Sequence, residues 1–72
     1  PGKYNEMLSK QNYRCAICNN TLVNPQIDHD HDTDKVRGLL CPRCNMALGM
    51  WNDDVDALLA AVAYLYHHLD TA

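Results

Sequence analysis

Residues 26–44 read QIDHDHDTDKVRGLLCPRC and place an Asp-His-Asp-His cluster shortly before a Cys-x-x-C pair, Cys41 and Cys44. A second Cys-x-x-C pair, Cys15 and Cys18, precedes the cluster. Two intervening residues let both sulfurs of a pair turn toward one ion, so the spacing predicts a single tetrahedral zinc site. Four sulfur ligands leave no open position on that ion, which makes the zinc structural.

The length of the chain makes such a staple expected. A chain of 72 residues forms one domain and buries only about 60% of its unfolded surface, so its core is marginal. Two disulfides are the alternative, but they suit a secreted miniprotein and no signal-peptide hydrophobic region precedes them. No apolar run approaches the roughly 20 residues that span a bilayer. We therefore expect a soluble, intracellular protein that does not contact a membrane.

Charge is divided unevenly along the chain, whose formal net charge is −3. Residues 1–43 carry all six Lys and Arg against five acidic residues, a balance of +1, whereas residues 44–72 carry four Asp and no cation, a balance of −4. Nucleic-acid binding needs a basic surface, so a polyanion would have to contact the first part of the chain. Each cation there could equally be a solvated surface charge. These cations are Lys3, Lys10, Arg14, Lys35, Arg37 and Arg43.

A β-hairpin is predicted over residues 26–40, between the two Cys pairs. Residues 26–29 and 36–40 are β-prone runs, and the polar, acidic residues between them form the loop. Asp32 and Asp34 of that loop are expected to be solvated. The His/Asp cluster then lies at the loop end of the hairpin.

Three helices are predicted around the hairpin. Residues 4–11 have an apolar stripe at helical spacing, and residues 42–48 begin with a proline suited to a first turn. Gly49 would cap the second helix. The third helix, residues 53–69 with its cap at residues 52–53, carries the largest apolar stripe of the chain. We expect that stripe to pack on the zinc module; a partner groove, or a homodimer through this C-terminal helix, stays open.

Three kinds of metal site could use the cluster at the hairpin end. A calcium loop of EF-hand type fails, because counting from Asp28 puts Thr33 at the glycine position and Leu39 at the bidentate-glutamate position. A second zinc site could use Asp28 with His29 or His31, but adjacent residues on a strand point apart. The third kind is a site for a hydrated, hard cation.

Asp28 and Asn45 suit that third kind. Asn45 directly follows Cys44, so the zinc ion would fix where the amide points. A carboxylate and an amide oxygen match an ion of the Mg²⁺ type, which keeps several waters and takes phosphate oxygens as other ligands. A neutral His29 beside them could accept a proton from a water that attacks phosphorus.

These residues resemble the recombination endonuclease VII family of phage-type nucleases, within the wider His-Asn-His, or ββα-metal, superfamily. The resemblance covers about residues 4–66 and rests on CAIC, on DHDHDTDKVRGLLCPRCN and on the Leu/Ala-rich last helix. It implies a small α+β zinc-stabilised domain with a ββα-metal core and flanking N- and C-terminal helices. That nuclease domain would be all of residues 1–72, with zinc knuckles at 15–18 and 41–44 and the active-site hairpin at 26–40.

The resemblance also implies a role for each site residue. Asp28 and Asn45 would bind one catalytic Mg²⁺ or Mn²⁺, and His29 would be the general base. His31 would contact the scissile phosphate or the leaving group. The activity would be one-metal hydrolysis of DNA phosphodiester bonds in the cytoplasm of a bacterium or of a phage-infected host. The implied structural zinc ligands are Cys15, Cys18, Cys41 and Cys44, and the predicted substrate contacts are Arg37 and Arg43.

One departure from the family pattern bears on the substrate. Position 48 is Leu where the junction-resolving member of the family has an acidic residue, so a third carboxylate at the metal is missing from that position. Nicking or weakly specific cutting of duplex DNA is therefore expected. The alternative is a non-catalytic zinc-binding module that docks on nucleic acid or protein.

Overall fold

The computed structural model describes residues 2–69. This part of the chain is a small α+β structure with three helices, a two-stranded antiparallel sheet and a cluster of four cysteines. None of the helices within residues 2–69 has the length and hydrophobicity needed to cross a membrane. The elements are α1 (Gly2–Lys10), β1 (Gln26–His29), β2 (Val36–Leu40), α2 (Pro42–Met50) and α3 (Val55–His67).

The predicted hairpin is confirmed, with both strands at their expected bounds. Asp28 pairs with Gly38, but the next residue, His29, pairs with Val36. Arg37 is therefore an extra residue on β2, which makes a β-bulge at the loop end of the hairpin. Bulges bend the strand and re-aim the neighbouring side chains.

The core lies where β2 passes into α2. The buried apolar residues of the described chain are Cys15, Leu39, Leu40 and Cys44, and Leu39 is fully enclosed. Helix α2 packs against both strands, and α1 packs against β2. The predicted stripe of α1 faces this core and is half-buried; it comprises Tyr4, Met7, Leu8 and Gln11. Two of the four core residues are cysteines, so little apolar core exists apart from the cysteine cluster.

Gln11 fixes the position of α1 on the sheet. Its side-chain Nε2 donates to the Leu39 carbonyl at 3.0 Å, and its Oε1 accepts from the Leu39 N–H at 3.0 Å. The Ala16 N–H donates to the same Leu39 carbonyl at 3.1 Å. The amide side chain thus pairs with the free edge of β2 as another strand would, and it satisfies a buried backbone group.

The first two helices end at other residues than predicted. Helix α1 covers residues 2–10 rather than 4–11, and α2 continues to Met50, with Gly49 inside its last turn. The chain leaves α2 through Asn52, whose φ of 53° is left-handed, and the Asp53 N–H then donates to the Leu48 carbonyl at 3.0 Å. Asn tolerates that conformation, so Gly49 is not needed as the cap.

Helix α3 begins later than predicted for the same reason. Asp53 also has a positive φ, 56°, so neither residue of the expected cap can occupy an N-cap position with its extended backbone. Asp54 is the N-cap instead, and its side chain accepts from the Ala57 N–H at 3.1 Å. The helix runs over residues 55–67 rather than 53–69.

The expectation that α3 packs on the zinc module is wrong. No other helix or strand of residues 2–69 approaches α3, and none of its residues is buried. The radius of gyration, 14.3 Å, exceeds the about 11 Å of a compact chain of this length. The helix therefore projects from the cysteine cluster and hairpin with most of its large apolar side chains exposed, although Leu58 is half-buried.

Candidate active site and zinc centre

The side chains of the four cysteines form one cluster, as their spacing predicts. All four thiols are free, and their sulfurs lie within 4.8 Å of one another. The Sγ atoms of Cys18 and Cys41 are 3.8 Å apart. Zn–S bonds of about 2.3 Å in a tetrahedron give an S···S edge of about 3.8 Å. The arrangement therefore fits one zinc ion held by four thiolates.

The backbone around the first pair is folded to present sulfur inward. The Cys15 N–H donates to the Asn20 carbonyl at 2.8 Å, and Asn19 turns the chain with a φ of 66°. The Ile17 and Cys41 N–H groups both lie 3.4 Å from the Cys15 sulfur. Such N–H contacts orient metal ligands and stabilise their negative charge.

Protonation of the cluster is uneven. Burial acts to raise the pKa of Cys15, but backbone hydrogen bonds, first that from Cys41, outweigh it and lower the pKa to about 6. Burial and the neighbouring thiol groups raise the pKa of Cys44 to about 12. Four crowded sulfurs cannot all be anionic by themselves, and a dication at their centre provides the compensating charge.

A cavity of about 260 Å³ lies between the loop end of β1 and the face of α2 that follows the cysteine cluster. Four predicted site residues line it: Asp28, His29, His31 and Asn45. The structure therefore brings the predicted metal ligands, the predicted base and the second histidine to one cavity. The other lining residues are Ile27, Leu48, Gly49 and Asp53.

Asp28 and His29 share the cavity although they are adjacent residues of β1. Successive residues of a regular strand point to opposite faces. Ile27, Asp28 and His29 all line the cavity, so it extends around the end of the strand rather than along one face. A second zinc site does not follow from this: within residues 2–69, the group of three or more metal-binding side chains that could hold an ion is the four cysteines.

Arg37 holds both carboxylates of the cavity. Its Nε and Nη2 contact the two oxygens of Asp28 at 2.7 and 2.9 Å, and Nη2 also lies 3.1 Å from Asp53 Oδ2. The hydrogen bond to Asp28, followed by that to Asp53, raises the pKa of Arg37. The Asp28 side chain is only 14% exposed whereas that of Arg37 is 38% exposed, so this bidentate pair is partly open to solvent. The predicted substrate contact is thus engaged with a predicted metal ligand.

Asp53 is the residue that sequence reasoning missed. It lies eight positions beyond Asn45, and the left-handed turn after α2 brings its carboxylate back to the cavity. Position 48 indeed contributes no carboxylate, since Leu48 lines the wall. The turn therefore brings a second carboxylate to the cavity, besides that of Asp28. The Asn-Asp-Asp run at residues 52–54 is the sequence signal for that turn.

His29 is half-exposed and has two polar neighbours. Its Nε2 lies 3.9 Å from Asp34 Oδ1, and its ring centroid lies 5.3 Å from that of His31. The hairpin loop is organised by Asp30, whose Oδ1 accepts from the Asp32 and Thr33 N–H groups. Hydrogen bonds from the Thr33 and Asp32 backbone lower the pKa of Asp30. The histidines therefore sit beside an anionic, hydrogen-bonded loop.

Arg43, the other predicted substrate contact, does not line the cavity. It is exposed on α2, and the Cys18 thiolate beside it raises the pKa of Arg43. Arg37 does not line the cavity either, but its guanidinium contacts two carboxylates that do, whereas Arg43 lies beside the cysteine cluster.

Comparison with known proteins identifies the family of the chain. The family model of recombination endonuclease VII matches residues 1–67. The chain belongs to the recombination endonuclease VII family. Two proteins similar to this endonuclease VII family chain are named Gene 59 protein. That of Mycobacterium phage D29 is 44% identical over 59 residues, covering 76% of the chain and 36% of the phage protein. That of Mycobacterium phage L5 is 39% identical over 67 residues, covering 88% of the chain and 41% of the phage protein. The chain thus spans about two-fifths of the length of these relatives.

Proposed function

We propose that the protein is a divalent-metal-dependent DNA endonuclease whose β1–β2–α2 unit is a ββα-metal core. The observation that carries this proposal is the shared cavity, in which a carboxylate, an amide and two imidazoles lie together beside a cysteine cluster that fits zinc. Membership of the endonuclease VII family supports it independently. The expected activity is nicking or weakly specific cutting of duplex DNA.

Two metal ions with different tasks are proposed. Zinc at the cysteine cluster would hold the hairpin end against the start of α2. Asp28 and Asn45 offer one carboxylate and one amide oxygen, a donor set that fits one Mg²⁺ or Mn²⁺. When bound there, such an ion supplies a positive charge that stabilises the phosphorane-like transition state and the leaving oxygen.

The side chains of the cavity would carry the proton transfers. His29 accepts a proton from the water whose oxygen forms a bond to phosphorus. The bond from phosphorus to the 3′ oxygen breaks, and that oxygen takes up a proton, which leaves 5′-phosphate and 3′-hydroxyl ends. His31 contacts the scissile phosphate or the leaving group.

Plasmid nicking tests the proposal. Supercoiled plasmid is incubated with the zinc-loaded protein and Mg²⁺ or Mn²⁺, and the open-circle product is measured. We expect nicking that is lost without divalent ion, lost with EDTA, and reduced about 100-fold or more in His29→Ala. Zinc content after EDTA treatment must be unchanged, so that loss of the scaffold does not mimic loss of the catalytic ion. His67→Ala removes an exposed imidazole from α3 and should nick as wild type does.

A non-catalytic zinc module that docks on nucleic acid or protein is the second candidate. The bidentate contact of Arg37 with Asp28 favours it, because that contact engages both carboxylate oxygens. A folded, zinc-loaded protein that cuts no plasmid with any divalent ion would establish this second function instead. In either case, the phage relatives support an intracellular site of action in a bacterium or a phage-infected host.

A further inference from the structure

A second groove lies on the other side of Arg37, between α1 and the start of β2. Its volume is about 560 Å³. Two apolar side chains, Met7 and Val36, lie among cations, and Glu6 is the single acidic residue in the lining. The four cations that line the groove are Lys3, Lys10, Lys35 and Arg37.

The groove concentrates the positive charge of an acidic protein. Four of the six Lys and Arg residues of the chain line it, although the formal net charge is −3. Within residues 2–69 the ion pairs are His29–Asp34, Arg37–Asp28 and Arg37–Asp53. The ammonium groups of Lys3, Lys10 and Lys35 thus have no carboxylate at salt-bridge distance, so they are available to an anionic ligand.

Arg37 joins the groove to the candidate active site. It lines the groove, and its guanidinium reaches Asp28 and Asp53 in the cavity. A polyanion along the groove would therefore lead directly to the histidines. Met7 and Val36 offer apolar contacts that suit the deoxyribose rings of a nucleic-acid backbone. A ligand that carried only acidic groups would make no use of these two side chains.

We propose that this groove binds the sugar–phosphate backbone of the DNA strand beside the cleavage site. Lys3, Lys10 and Lys35 contact successive phosphates, and Arg37 contacts the phosphate nearest the cavity. The assignment rests on the proposed endonuclease function for its choice of ligand. It identifies α1, outside the hairpin and the zinc centre, as the main substrate-binding element.

Salt dependence of binding tests the groove without requiring cleavage. A fluorescein-labelled duplex of about 20 base pairs, long enough for several phosphate contacts, is titrated with zinc-loaded protein in the absence of Mg²⁺ or Mn²⁺. Anisotropy is measured at several NaCl concentrations. The test variant carries Lys3→Gln, Lys10→Gln and Lys35→Gln. Each phosphate contact contributes about 0.9 to the slope of log affinity against log salt, so the slope should fall by about 2 to 3. Affinity at low salt should fall at least tenfold.

A charge-matched control distinguishes the effect of the groove cations on DNA binding from the effect of net charge. Ala60→Glu, Ala63→Glu and His67→Glu on α3 change the net charge by the same amount, far from the groove. The control should keep the wild-type slope. Equal losses in the two triple variants, or an unchanged slope in the groove variant, would overturn the proposal. A labelled polyglutamate peptide is titrated in the same way. If it binds more tightly than DNA, and if the groove variant does not bind it, the ligand of the groove is an acidic protein instead.

The two proposals fail in different ways. If the wild type binds duplex DNA through the groove but nicks no plasmid in any divalent ion, the catalytic function is wrong and the groove assignment stands. If the wild type nicks plasmid while the groove variant keeps the wild-type binding slope and KM, the groove assignment alone is wrong.

Discussion

Arg37 is the residue that connects the two carboxylates of the cavity. It is the extra residue of the bulge opposite Asp28 and His29. Its guanidinium forms ion pairs with both Asp28 and Asp53. A divalent ion that uses the Asp28 carboxylate would have to compete with this bound cation, because two positive charges at one carboxylate repel each other.

Removing the Arg37 charge should therefore strengthen binding of the divalent ion. Arg37→Met keeps the aliphatic stem, and we expect Mn²⁺ to bind about fivefold to tenfold more tightly, as for loss of one competing, partly exposed ion pair. Electron paramagnetic resonance of free Mn²⁺ measures this without DNA. Lys35→Met removes the same charge two residues away and should change the affinity little. If Arg37→Met bound Mn²⁺ no more tightly than the wild type does, the guanidinium would not be occupying the position of the divalent ion.

Asp53 should contribute to the same site. Asn tolerates the left-handed backbone at this position, so Asp53→Asn removes the charge with little strain. We expect nicking to fall about tenfold, since one of two cavity carboxylates is lost. Asp54→Asn is the matched control, because Asn caps a helix about as well as Asp. Equal nicking by the two variants would exclude Asp53 from the site.

The site residues differ in how far sequence alone could identify them. Asn45 directly follows Cys44, and Asp28, His29 and His31 lie at the loop end of the predicted hairpin, so the sequence predicts that these side chains meet. The position of Asp53 depends on where α2 ends. That end is determined by the backbone conformation at Asn52 rather than by the spacing of apolar residues. Sequence patterns predict such ends poorly, because several residues can adopt the turn.

Among the elements, the hairpin was predictable and the helix ends were not. The strands are β-prone runs closed by Pro25 on one side, by an acidic loop between them and by Pro42 at the other end, so few other bounds are compatible. The docking of α1 depends on one side chain, Gln11, that carries no sequence signal of its own. A glutamine within an apolar stripe does not indicate which strand edge it contacts.

The Gln11 contact should contribute measurably to stability. Gln11→Glu keeps the acceptor for the Leu39 N–H but places a second acceptor against the Leu39 and Arg14 carbonyls. We expect the free energy of unfolding to fall by about 1–3 kcal/mol, the cost of unsatisfied, partly buried groups. Urea unfolding at constant free zinc measures it. Gln26→Glu, at an exposed contact, serves as the control. Equal stability of both variants would show that α1 is not held through Gln11.

For the whole molecule, zinc should be a condition of folding. Two of the four buried apolar residues within residues 2–69 belong to the cysteine cluster, and structural zinc contributes about 10–16 kcal/mol in zinc-finger peptides. We expect stripping of zinc, or Cys44→Ser, to abolish the dispersed amide spectrum in ¹H–¹⁵N NMR. Adding zinc back should restore the dispersed spectrum of the wild type but not that of Cys44→Ser. A dispersed spectrum from protein shown to be free of metal would contradict this dependence.

Helix α3 exposes a regular apolar seam. The exposed side chains of Val55, Leu59, Val62 and Tyr66 recur at alternating spacings of four and three, as in a coiled coil, and Leu69, two residues beyond the end of the helix, continues this spacing. No other element of residues 2–69 covers this seam. A homodimer through the C-terminal helix, which the sequence leaves open, would bury it.

Sedimentation velocity from micromolar to near-millimolar concentration tests that homodimer. Two heptads form only a weak pair, so we expect dimers at the upper end of the range and monomers at the lower end. Leu59→Lys, in the seam, should keep the protein monomeric throughout, because dimerisation would bury its charge. Ala60→Lys adds the same charge one residue away, outside the seam, and should dimerise as the wild type does. A wild type that stays monomeric throughout, or two lysine variants that behave alike, would exclude the seam as the dimer interface. The zinc module would then carry α3 as an exposed helix with no self-association of its own.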